Sequence, residues 1–223
     1  MTRLPLSQRV AAVTALDDPV RRALFKLVTA ADGLVSRDAA ATTLGLARST
    51  AAYHLDRLAD TGLVAVEFKR LGDKKGPGAG RPTKLYSRTQ SELSVSVPDR
   101  HYELAGEIMA TAIDESQRTG TAVDETLRAV AESAGAALGA AAGSLERMLV
   151  ETGYEPRPDS EGGFDFGNCP FHRLAQSHTN IICGLNERFL DGALAGSQDA
   201  EHRVEEPRPG SRCCARIARR SDL

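Results

Sequence analysis

Apolar residues recur at helical spacing in three short runs within the first sixty positions. Asp18-Pro19 places a capping carboxylate and a first-turn proline ahead of Val20, Leu24, Leu27 and Val28, a helix stopped by Gly33. Ser36 caps a second helix over Arg37–Thr43, closed by Gly45. A third runs from Ala47 to Thr61, with Ala51, Leu55 and Leu58 stacked on one buried face and Gly62 as its end. The pattern then becomes extended: Leu63–Arg70 is a strand, Leu71–Gly80 a glycine-rich tip and Arg81–Arg88 the returning strand. These elements predict three helices and a hairpin.

Helical spacing returns at Asp99–Gln117, where Leu104, Ala105, Ile108, Met109, Ala112 and Ile113 make a broad apolar face. Thr121 with Asp124 resembles a capping box before Leu127, Val130, Ala131, Ala134 and Leu138. The small-residue run at 134–143 reads either as close helix packing or as a break. Ser144 caps a short helix through Leu149 that stops at Gly153, and Tyr154–Cys169 reads as two short strands about the turn at Ser160–Gly163. A helix from Asn180 to Leu194 and two extended segments within His202–Ile217 complete a fold class that is mainly α with small β, or α+β.

With 223 residues the chain suits two modest domains, and 41% hydrophobic content is ordinary for a globular protein. No run approaches a membrane span, and Arg3, Gln8 and Arg9 interrupt any signal-peptide core, so a cytoplasmic location without membrane contact is expected. The net charge of −2 conceals a split: residues 1–90 hold 15 basic and 8 acidic side chains, a net of +7, which leaves −9 for 91–223. A polyanion would therefore meet the first half. The expected organisation is a DNA-binding domain at 1–90, a linker and dimerisation helix at 91–120, and an α+β module at 121–223.

Rotation at 100° per residue sets Ser49, Ala52, Tyr53 and Asp56 opposite the buried stripe of the third helix, flanked by Arg48, Thr50 and Arg57. His54 adjoins the stripe and reads either as structural or as a phosphate or base contact. Between Phe68 and Arg88 seven basic residues face one acidic residue, Asp73. That hairpin suits phosphate and minor-groove contact, or is simply a solvated edge of a protein-interaction module. The run ARSTAAYHLDRLADTGLV followed by a basic segment ending GRPTKLY resembles the winged helix-turn-helix regulators of the ArsR and MarR group. The resemblance implies dimeric binding to double-stranded DNA, with Arg48, Ser49, Thr50, Tyr53 and Arg57 in the major groove. Lys69, Arg70, Lys74, Lys75, Arg81 and Lys84 would belong to the wing, Arg81 being its minor-groove candidate. The apolar face at 99–117 is expected either to pair with its symmetry mate in a homodimer or to pack within one chain.

The chemistry of the second half lies in Cys169, His172, Cys183, Cys213 and Cys214, the thiolate and imidazole donors that zinc and iron–sulfur clusters use. Their spacing matches neither zinc ribbons nor ferredoxins, and adjacent Cys213 and Cys214 in an extended segment would point to opposite faces, leaving one spare. The arrangement NCPFHRLAQSHTNIICGLNERFLDGAL followed by CC resembles the helix-turn-helix family that includes SufR, the repressor of iron–sulfur cluster assembly genes. That resemblance implies a cluster on Cys169, Cys183 and Cys213. The Cys169–Cys183 interval and the CCARI ending depart from it, so zinc, or no metal with buried or redox-reactive thiols, stays open. A regulator answering an organic ligand is a further alternative. No catalytic motif is present that would make the chain an enzyme, metal-dependent or otherwise.

Overall fold

The computed structural model describes residues 4–70, 82–89, 93–211 and 213–220. The chain divides into two compact units, Met1–Val95 and Ser96–Leu223. Residues 96–120, expected to form a linker and dimerisation helix, fall within the second unit.

In the first unit α1 (Leu6–Ala15) and α2 (Pro19–Ala30) precede β1 (Val35–Ser36), α3 (Arg37–Leu44), α4 (Arg48–Asp60), β2 (Val64–Lys69) and β3 (Thr83–Arg88). Local chemistry explains the boundaries. The Asp18 carboxylate accepts from Arg21 N–H at 2.9 Å, Ser36 Oγ accepts from Ala39 N–H at 3.0 Å, and Gly45 closes α3 in the left-handed conformation at φ 63°. The β1-β3-β2 sheet is antiparallel, with Val64 opposite Arg88 and Lys69 opposite Thr83. Leu24, Val28, Leu55, Leu58, Leu63, Val64 and Tyr86 form the core.

Two features differ from the sequence expectation. Helix α1 was not foreseen, because its apolar residues Leu6, Val10 and Val13 lie exposed while Ala12 and the stem of Arg9 face inward. Arg9 donates to Leu4 O at 2.9 Å and to Ser94 O at 3.1 Å. The short β1 is a second addition, too brief to leave a periodic signal.

The second unit comprises α5 (Tyr102–Thr119), α6 (Val123–Ala142), α7 (Leu145–Glu151), β4 (Pro156–Pro158), β5 (Phe164–Phe166), α8 (His172–Ser177), α9 (Thr179–Gly196), β6 (His202–Glu205) and β7 (Arg216–Arg219). Its antiparallel sheet has the order β4-β5-β7-β6. The small-residue run is resolved as close packing: α6 continues unbroken and lies directly on α9, with Gly135 against the Phe189 carbonyl and Gly192 against that of Glu132. The capping box does not form. Ala122 is the N-cap, and the hydroxyl of Thr126, the fourth residue of the helix, donates to Ala112 O of α5 at 3.0 Å. The apolar face of α5 is consequently spent within the chain, with Ala105, Ile108 and Ala112 buried and Ile113 outside. Pairing through that face is corrected.

A charged clamp fixes the segment that leads to the paired cysteines. The Asp159 carboxylate, 3% exposed, accepts from Gly163 N–H at 2.8 Å and from Arg208 and Arg216 at 3.1 Å each. Arg208 also reaches Glu161 at 2.7 Å. The hairpin turn and the approach to Cys213 are thereby one assembly. Among the described residues no helix is long and apolar enough to cross a membrane.

Candidate nucleic-acid interface and thiol cluster

Helix α4 buries Ala51, Leu55 and Leu58 and so turns Arg48, Ser49, Tyr53 and Arg57 outward. Tyr53 is 59% exposed, an aromatic ring left in solvent on the side away from the core. Thr50 is half-buried at the edge of this row. Arg48 is held by Asp38 of α3, Nε to Oδ1 at 2.5 Å, which aligns the guanidinium at the start of α4. His54 packs edge-on to Tyr53, with ring centroids 5.1 Å apart, and its Nδ1 is 3.9 Å from Asp18 Oδ1. It lies between α4 and the cap of α2.

Asp56 does not join the outward row, contrary to its helical position. Arg37 donates to Oδ1 at 2.9 Å and to Oδ2 at 2.6 Å, and Lys84 Nζ and Tyr86 Oη each reach Oδ1 at 2.6 Å. Arg37 Nε also donates to Tyr86 Oη at 2.9 Å. One carboxylate thus ties the reading helix to the first turn of α3 and to β3 of the wing. Partial burial works against the Asp56 charge, but hydrogen bonds from Lys84, Tyr86 and Arg37 outweigh it and bring its pKa down to about 2. Burial, with donation to Asp56, pushes the Tyr86 hydroxyl up to about 12. Lys84, expected at DNA, reaches Asp56 here. Residues 19 to 49 positions apart meet at this point, and no periodicity could have paired them.

Residues 16–67 match the family model of a helix-turn-helix domain. No curated protein and no solved structure matches the chain. The matched segment runs from α2 into β2 and contains the whole outward row of α4, so the chain carries a helix-turn-helix domain that supports a DNA-binding transcriptional regulator. Of the wing residues, Lys69 pairs with Glu67 at 2.9 Å and Arg70 is exposed. Lys74, Lys75 and Arg81 lie outside the described residues. Phe68, 67% exposed on β2, carries no signal in the sequence because it sits in a strand otherwise marked by charge.

In the second unit all four cysteines are free thiols that meet in one place. Cys169 follows β5, Cys183 lies in the second turn of α9, and Cys213 with Cys214 precede β7. Asn186, three residues beyond Cys183 and fully buried, donates through Nδ2 to Cys214 Sγ at 3.5 Å and to Cys213 Sγ at 3.7 Å. Its Oδ1 accepts from Tyr154 Oη at 2.5 Å, which fixes the amide orientation. The backbone bends at Cys213-Cys214 instead of extending, and both thiols therefore face Asn186. The expectation that one of the pair would point away is corrected.

The thiols hydrogen-bond in a row. The single Cys213 S–H has Cys169 and Cys214 as alternative acceptors, and Cys183 faces Cys214. Donation from Cys213 holds the Cys169 thiol below its ordinary value against the effect of burial. The same donor, assisted by Cys183 and Asn186, brings Cys214 down to about 6. Burial and donation push Cys183 up to about 12, and its two acceptors drive Cys213 higher still. Along the row, lowered thiols (Cys169, Cys214) thus alternate with raised ones (Cys213, Cys183). Among the described residues no group of three or more His, Cys, Asp or Glu side chains is set around a point that could hold a metal ion. The donor set suits a soft metal centre in its chemistry, while the thiols themselves form a chain. His172 takes no part in it: its Nε2 lies 3.2 Å from Gln176 Nε2, and its ring lines a cavity beside Cys169.

Proposed function

We propose that the protein is a cytoplasmic, sequence-specific transcriptional regulator that reads double-stranded DNA as a homodimer and is governed by the state of its four thiols. The observation that carries the DNA-reading part is the outward row Arg48, Ser49, Tyr53 and Arg57 on a helix within a helix-turn-helix match, with the basic wing following it. Arg48 and Arg57 bring the donors that recognise guanine edges or phosphates, and Tyr53 brings an amphipathic ring. Lys69 and Arg70, with Lys74, Lys75 and Arg81, would add backbone contacts that neutralise phosphates without reading sequence. Arg37, Asp56, Lys84 and Tyr86 act one step behind, holding helix and wing in register.

Dimerisation is supported by α1 in place of α5. Leu6, Val10 and Val13 recur at i, i+4 and i+7, and all three are exposed. A symmetry-related copy would cover that stripe and set two reading helices about 34 Å apart, one turn of B-DNA. Val10→Glu with Val13→Glu will convert dimer to monomer in light scattering while leaving the circular dichroism spectrum unchanged. A double variant that stays dimeric would remove α1 from the interface.

Sensing is supported by the convergence of Cys169, Cys183, Cys213 and Cys214 on Asn186. An iron–sulfur cluster or, in its place, zinc would draw on these thiols, which would have to leave their present row to surround it, and either would tie the turn after β5, α9 and the segment before β7 together. Without a metal the row is a set of neighbouring thiols, of which Cys214, lowered to about 6, is the one most readily ionised and oxidised. Fluorescence anisotropy on upstream DNA tests both parts together, with apo protein and with protein reconstituted anaerobically with iron and sulfide. Affinity will fall steeply with salt in both forms, since phosphate neutralisation releases counterions. Tyr53→Ala and Arg57→Ala will flatten the preference among sites, by about 1–3 kcal/mol at the base affected. Salt-independent binding would sink the DNA reading, and equal affinity of the two forms would sink the sensing reading.

A further inference from the structure

We propose that the cavity beside Cys169 is a binding site for a small anion bearing a carboxylate or phosphate group. The cavity, about 330 Å³, is lined by Arg100, Glu155, Arg157, Asn168, Cys169 and His172, all within the second unit. That volume lies at the small end of metabolite pockets. Two guanidinium groups share its wall, and each is positioned by the fold.

Arg100 is built into the unit. Its Nη1 donates to Asn168 Oδ1 and, at 2.9 Å, to the carbonyl of Cys169. Asn168 is itself buried, and its Nδ2 donates to Asp99 O and Gly153 O at 2.7 Å each, so the amide cannot turn away. Arg157 projects from the edge strand β4 and lies across Gly167: a Cβ at that position would stand 2.8 Å from both Nε and Nη2. The missing side chain of Gly167 is what seats the guanidinium. Among the described residues the Arg157 side chain makes no hydrogen bond or ion pair, not even with Glu155 in the same cavity. A cation held in place and left unpaired at a cavity wall has its five donors available for an oxyanion, to which two can bind side by side.

His172 adds an imidazole at the rim, and Cys169 places one end of the thiol row in the same wall. An occupant would touch both Arg100, just inside the boundary between the two units, and the cysteine cluster. Occupancy of the cavity does not depend on DNA binding, and its test reads ligand alone, so the two proposals stand or fall separately.

Titration calorimetry on the full chain, with inorganic phosphate and with succinate at matched ionic strength, will show saturable binding of one equivalent for at least one of them. Tighter phosphate binding assigns a phosphoryl ligand, and tighter succinate binding a carboxylate. Arg157→Gln, which removes no side-chain hydrogen bond or ion pair within the described residues, will weaken the preferred anion about tenfold, the loss of a charge-assisted hydrogen bond. Gly167→Ala will do the same by unseating the guanidinium, while Arg203→Gln on β6, outside this cavity, will leave affinity unchanged. Absence of saturable binding by either anion at millimolar concentration, or equal affinity in wild type and Arg157→Gln, overturns the proposal.

Discussion

Asp56→Ala will cost the first unit about 2 kcal/mol of stability and lower its specific DNA affinity at least tenfold. The carboxylate accepts from Arg37, Lys84 and Tyr86 together, and its removal leaves two cations and a phenol facing one another on α3 and β3. Charge-assisted bonds of this kind are worth about 1.5–3 kcal/mol each in buried sites, and partial solvent exposure of Asp56 reduces their joint value toward the lower end. The effect on DNA separates geometry from electrostatics. Deleting an acidic group adds net positive charge to a surface that meets phosphate, which by itself strengthens non-specific binding. A fall in specific affinity therefore reports a wing no longer held to α4. Asp56→Asn, which keeps an acceptor for Tyr86 but loses the charge, will fall between wild type and alanine.

The same network sets the pH range of the unit. Asp56 titrates at about 2 against an ordinary 3.8, so its contribution is complete above the ordinary value and disappears as pH falls through about 2. Tyr86 titrates at about 12 against 10.0, and its contribution is complete below the ordinary value and disappears as pH rises through about 12. From weakly acidic to weakly alkaline buffer this network will add no pH dependence to thermal melts, and Asp56→Asn will remove the acid limb.

Helix boundaries in the first unit were legible because local rules wrote them: Asp18, Ser36, Gly45 and Gly62 cap or stop elements within a few residues of themselves. The outward row of α4 followed from the 3.6-residue period for the same reason. Asp56 misled that reading because helical phase reports the side of a helix and not what the wing lays over it. Helix α1 was invisible for the opposite cause, since its apolar stripe faces solvent. In the second unit the donor residues were legible as residue types, but their meeting depends on Asn186 and on a backbone bend at Cys213-Cys214. Neither has a sequence period. The Arg157 seat depends on an absent side chain at Gly167, which composition records only as one glycine among 20.

Gly135→Ala and Gly192→Ala will each destabilise the second unit by about 3 kcal/mol or more, although alanine ordinarily stabilises a helix interior relative to glycine by about 1 kcal/mol. The reversal comes from the contact between α6 and α9. A Cβ on Gly135 would overlap the Phe189 carbonyl and stand 2.9 Å from Ala193 N, and one on Gly192 would overlap the Glu132 carbonyl with Ala136 N at 3.0 Å. Both obstacles are backbone, which has no rotamer by which to yield, so the helices must separate and Phe189, Leu190 and Ala193 lose packing along the seam. Separation also displaces Cys183 and Asn186, which α9 carries, from Cys213 and Cys214. The thiols of either variant will react with a disulfide reagent faster than those of wild type. Gly106→Ala supplies the contrast: it lies on α5 with nothing within 4 Å of the new Cβ, and will leave the unit equally or more stable. Calorimetry of the full chain resolves the outcome, because the first unit has its own core and its transition will stay in place while that of the second moves down. Equal melting of Gly106→Ala and Gly192→Ala would mean that α6 and α9 do not approach as closely as their glycines allow.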